Sequence, residues 1–128
     1  MVDESPTTNA AIRRRYTNGE SLNDGSPLNT VADAPDGSAD TVVGADTDIH
    51  VVTPDATNTV DLSAAAVEGR VVTVVHGADG ANTPNVEFTD ADFVGTGPAD
   101  LGDAGDTATV ANVDGSETGF VVVATGSA

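Results

Sequence analysis

The side chains able to do chemistry in this 128-residue chain are few: two histidines, no cysteine, and four arginines set against 21 acids. A serine nucleophile such as Ser63 needs a histidine base and an acid that orients the imidazole. His50 and His76 are the only bases on offer. With so many carboxylates an acid beside either one carries no information. Two histidines without a cysteine also argue against a zinc centre. We expect no catalytic residue and no enzyme activity. Oxygen ligands are a separate matter. Asp100, Asp103 and Asp106 in "ADLGDAGDT", and Asp90 with Asp92 in "FTDADF", carry the donors a hard cation takes. Their spacing matches neither the D-x-D-x-D-G loop nor a Gly-Gly-x-Gly-x-Asp repeat. Hydrated acidic loops are expected there, with Ca2+ or Mg2+ binding as the alternative and no other cofactor.

Three of the four cations stand together, Arg13, Arg14 and Arg15 beside Tyr16 in "AAIRRRYTNG". The planar guanidinium pairs bidentately with carboxylates, so this cluster suits docking on an acidic partner. A solvated or locally paired cluster is the plain alternative. Nucleic acid is the third reading and the poorest. Three phosphate contacts give little affinity, salt removes most of it, and a net charge of -17 repels DNA. Arg70, the remaining cation, is expected to form a structural ion pair with a nearby acid, within the subunit or across an interface. An export role for Arg13 and Arg14 fails because "YTNGESLNDGSP" follows where an apolar stretch is required.

The charge itself points to a habitat. Sixteen Asp and five Glu face no Lys at all. In ordinary buffer such like charge repels itself and loosens a fold. In molar salt the Debye length falls to about 3 Å and the repulsion is screened. A Lys-free, Asp-rich chain with small apolar residues is what we expect of an extreme halophile. Disorder shares part of that signature, but 19 valines in strand-like runs argue against it beyond the N-terminal third. The apolar residues are mostly Ala and Val, so the core buries little area per residue. A thin core gains from burial against further copies, and a homo-oligomer is expected.

The elements that must carry these residues follow from punctuation and alternation. Residues 1–40 are rich in Asn, Asp, Gly, Ser and Pro without sustained periodicity, and read as an extended docking arm in which only "NAAIRRRY" suits a helical turn. From residue 41 the texture changes to a β module, 41–128. "TVVGADTDIHVVTP" alternates, with Ile49, Val51 and Thr53 on one side. "TNTVDLS" puts Val60 and Leu62 on one face, Thr59 and Asp61 on the other. "SAAAVEGR" reads as one helical turn with Ser63 as N-cap and Gly69 as the left-handed terminator. "RVVTVVHG" is a strand closed by "GADGANTP"; "NVEFTD", "TATVANV", the turn "DGSE" and "GFVVVATG" complete the chain. Short strands between turn clusters, with no long helix, predict an all-β fold: a small antiparallel β-sandwich or barrel behind an irregular arm. No repeat of 20 to 50 residues is visible. No apolar run is long enough to span a membrane.

Residues 48–126, in particular "DLSAAAVEGRVVTVVH" and "DTATVANVDGSETGFVVVATG", resemble a small β module of tailed-virus structural proteins, found on tail fibres and on proteins displayed on the head. The matching parts are Thr59 to Ser63, Ala64 to Arg70, Val71 to His76, the loop Gly95 to Asp106, Thr107 to Val113, and Phe120 to Ala124. Asp61 and Ser63 stand where that module often has Thr and Pro, and Phe120 replaces a frequent Trp. The resemblance implies a structural, oligomeric virion protein with no catalytic residue. A short chain with an arm and no stalk favours a capsid decoration or turret subunit at the particle surface of a virus infecting halophilic archaea. Its expected partners are copies of itself, as a trimer or pentamer, and a capsid or other virion protein, with no nucleic acid and no membrane. Tail fibre or glycan-binding attachment is the alternative, and a secreted or surface-layer halophile protein the next.

Overall fold

A computed structural model describes residues 28–78 and 84–128. Arg13, Arg14, Arg15 and Tyr16, the "NAAIRRRY" turn and most of "GADGANTP" lie outside these residues. The described chain is nearly all strand. In order these are β1 (Thr30–Asp33), β2 (Thr41–Val42), β3 (Ile49–Val52), β4 (Asn58–Asp61), β5 (Val71–His76), β6 (Val86–Glu87), β7 (Thr107–Asn112) and β8 (Phe120–Gly126). Two short 3-10 turns, Ser63–Ala65 and Asp90–Asp92, are the only helical pieces among the described residues.

The strands form two sheets, a five-stranded one in the order β1-β3-β5-β7-β8 and a three-stranded one in the order β2-β4-β6. The fold is all-β and sandwich-like, with both sheets contributing to one core. Val52, Val72, Val74, Ala108, Val110 and Phe120 from one sheet meet Val43, Val60, Leu62 and Val86 from the other side. Alternation explains the burial. Along β3, β5 and β7 every second residue is buried and the residues between them are half-buried, as a pleat with one solvated face requires.

Strand direction corrects the uniformly antiparallel expectation. Only β5, β7 and β8 run antiparallel; β1-β3-β5 and β2-β4-β6 are parallel. From β1 to β7 the chain winds as a coil, passing from one sheet to the other at each step, so no helical crossover is needed. Thr30 pairs with Ile49 and Thr41 with Val60, a step of 19 residues in both sheets. Pro35-Asp36 and Pro54-Asp55 repeat at the same step. The next step is 24 residues in one sheet (Ile49 to Thr73) and 28 in the other (Asn58 to Val86). A period that occurs once and then widens leaves no visible repeat in the sequence.

The arm boundary at residue 40 also moves. β1 belongs to the five-stranded sheet, so the module begins by residue 30. Its four residues beside "APDG" are too few to reveal a strand whose partner lies 19 positions away. Other expectations hold locally. Val60 and Leu62 are buried while Thr59 and Asp61 face outward. Gly69 is left-handed at φ +85°, a conformation open to Gly because it lacks a Cβ. The turn before it differs. It is a 3-10 turn at Ser63–Ala65 with Leu62 at the cap position. Ser63 donates its backbone N–H and its hydroxyl to Asp61 at 2.9 and 2.7 Å, so the aspartate, one turn earlier, organises the corner.

Candidate functional site

Among the described residues, His50, His76, Ser63, Asp106 and Arg70 each hold a structural contact. His50 lies on the inner face of β3, 2% exposed, with Nε2 3.2 Å from Asp33 Oδ2 on the neighbouring strand β1. The carboxylate accepts from Nε2, and the buried Nδ1 has no hydrogen-bond partner. His76 is fully buried at the end of β5, and its Nδ1 donates to the Leu101 carbonyl at 2.9 Å. The Ser63 hydroxyl is spent on Asp61, on the exposed corner of the other sheet. The three residues are therefore not brought together.

The acidic loops are likewise braces. Asp106 Oδ2 accepts the backbone N–H groups of Gly102 and Asp103 at 3.1 and 3.0 Å, and Oδ1 accepts that of Ala128 at 2.9 Å. The Ala128 amide first, then Asp103, holds this carboxyl below the usual carboxylate range. Three amide N–H groups therefore fix the orientation of this carboxylate in the loop. Asp90 is bound to the Gly97 amide at 3.2 Å. Asp92 is pushed up by burial, then by the charges of Asp61 and Glu117. Among the described residues no group of three metal-ligating side chains forms.

Arg70 forms its ion pair within the chain. Its Nη1 stands 3.3 Å from Asp48 Oδ1, and Nη2 donates to the Thr47 carbonyl. Asp48 also accepts the Asn29 backbone N–H at 2.8 Å through its other oxygen. One carboxylate thus ties the approach to β1, the turn before β3 and the start of β5 at one corner of the coil. Two asparagines, Asn58 and Asn112, are also buried, each 1% exposed. Asn58 donates to the carbonyls of Gly37 and Ala39 in the coil before it. Asn112 holds the "DGS" turn through Gly115 N–H and the Ser116 carbonyl. The asparagine preceding each turn by a few residues is the signal that would have found Asn112; nothing local marks Asn58.

What remains as a surface is the outer face of the five-stranded sheet. Its register aligns Thr30, Ile49, Thr73, Thr109 and Ala124 in one row across all five strands. A second row is Ala32, Val51, Val75 and Thr107, and a third is Val71, Ala111 and Val121. Thr73 and Thr109 hydroxyls pair at 2.8 Å across the middle. No charged residue falls on these rows. The outer positions of the other sheet include Asp61 and Glu87 beside Val42 and Thr59.

Comparison with protein families, with curated proteins and with solved structures finds no match for this chain. The resemblance to the tailed-virus module rests on the residues quoted above.

Proposed function

We propose that this chain is a structural virion protein, a capsid-surface decoration or turret subunit of a tailed virus infecting halophilic archaea, docking through its N-terminal arm. The observation that carries the reading is the succession of elements from Thr59 onward. A strand (β4) leads into an Ala-rich turn closed by left-handed Gly69 and Arg70. Strand β5 follows, then the two-residue β6 with its 3-10 turn, the Gly/Asp loop, β7, the "DG" turn and β8. With β6 and the 3-10 turn aside, that is the order of parts in the viral module. The placement of His50, His76, Ser63, Asp90 and Asp106 in structural contacts supports a binding role over catalysis.

The Arg13–Arg15 cluster supplies a contact for the acidic neighbours such a particle presents. The small-residue core supports assembly with other copies, as a trimer or pentamer. The test is a reconstruction of purified particles by cryo-EM. Density for 30–128 on the capsid, with the preceding residues running along the shell, is the expected result. Density on the tail would move the protein to a fibre role, and absence from the particle would end the virion reading. Dialysis from molar to low salt is expected to abolish the β circular dichroism, since screening of -17 is withdrawn. An unchanged spectrum would overturn the halophilic assignment.

A further inference from the structure

We infer that the uncharged outer face of the five-stranded sheet is the surface on which a second copy of this chain packs. The inference rests on the self-association part of the reading above and names the face that does it. Charge selects the face. In molar salt the long-range repulsion between copies is screened, but a carboxylate buried in a contact still has to shed its water. The acids of the second sheet, Asp61 and Glu87, bar that side. Around Thr73 and Thr109 no carboxylate has to be desolvated, so two copies meet there without burying an unpaired charge.

Shape and extent agree. Five strands spaced about 4.8 Å apart, with two or three outward residues each, present roughly 400 Å² of Val, Ile, Thr and Ala. That falls within the ~300–600 Å² of the largest apolar patches on monomers, which are often functional. It is about half of the ~800 Å² per partner of a standard interface, so it forms the centre of a contact whose rim comes from adjoining loops. The β-branched side chains of Ile49, Val51 and Val75 lose little rotamer freedom on packing. The basic arm is a poor occupant, because this face offers Arg13–Arg15 no carboxylate. An acidic membrane surface would be repelled by the rest of the molecule.

The experiment is sedimentation of the purified full chain in molar salt, with two variants. The wild type is expected as an oligomer. Thr73→Asp, which places a charge at the centre of the face, should raise the dissociation constant on the order of 100-fold or more while the circular dichroism is retained. Thr59→Asp, on the outer face of the other sheet, should leave association unchanged. The chain has no cysteine, so a single introduced thiol supplies a readout that does not depend on Thr73→Asp folding. Thr109→Cys should give covalent dimers with a short bis-maleimide, and Thr59→Cys should not. A monomeric wild type, or cross-linking through Thr59→Cys alone, would overturn the inference. A chain that associates through this face yet is missing from particles would defeat the virion reading and leave the interface standing.

Discussion

The five-stranded sheet keeps four to seven residues in every strand, while β2 and β6 of the three-stranded sheet have only two each. The larger sheet is held by continuous backbone ladders. The smaller one is completed by single contacts: the Val43 amide on the Asp61 carbonyl, the reciprocal Val86–Leu101 bridge, and the Asn58 side chain reaching back a coil. Charge divides the same way, with acids on the outer positions of the smaller sheet and none on the larger. The contrast teaches that apolar burial and ladder continuity are separable. Both sheets feed one core, but only one carries a regular surface.

The sharpest way to break that picture is to empty the core from each side. Phe120→Ala, at a residue 1% exposed, is expected to cost about 3–5 kcal/mol, and Leu62→Ala, 2% exposed, about 2–5 kcal/mol. If the core is shared, both variants unfold in one transition by equilibrium denaturation. Hydrogen exchange showing that Leu62→Ala frees only β2, β4 and β6 would make the sheets separate units. Next in size is Arg70→Met, which removes the contacts to Asp48 and Thr47 and should cost about 1.5–3 kcal/mol. Because this pair is partly buried, its loss should be felt in molar salt as well, and a thermal shift confined to low salt would reduce it to a surface pair.

The smallest effects separate acids that brace from acids that burden. Asp106 is held below its ordinary 3.8 by backbone amides, so its contribution is present above that value and is lost as pH falls through its folded pKa. Asp92 is raised above 3.8, chiefly by burial, so stability declines as pH rises from 3.8 through its folded pKa. Asp92→Asn should therefore raise the melting temperature slightly at neutral pH and do nothing below pH 3.8. Asp106→Ala should lower it at neutral pH, with the loss shrinking in acid. Melting curves across pH that show the same sign for both would contradict these assignments.

Much of the fold was legible where alternation runs long enough. β5, β7 and β8 are Val/Thr strands bounded by Gly, and "DG" marks the turn between the last two. Parallel pairing was hidden. Parallel neighbours usually imply a helix between strands, and here the other sheet takes the helix's place through strands of two to four residues. The alternation of Ile49 and Val51 gave the outer face its first two members. Assembling the rest required the register, which no local pattern supplies. The buried Asn58 was illegible because its partners, Gly37 and Ala39, are fixed only by the coil step.

That step has a consequence for tolerance. Closing a flexible segment costs about (3/2)RT ln n, so lengthening a coil from 19 to 28 residues costs only about 0.3 kcal/mol. The corner from Leu62 to Arg70, where the step first widens, already absorbs extra residues as a 3-10 turn. Foreign peptide inserted at this corner should be carried at small thermodynamic expense, provided Gly69 and Arg70 stay in place to resume the winding.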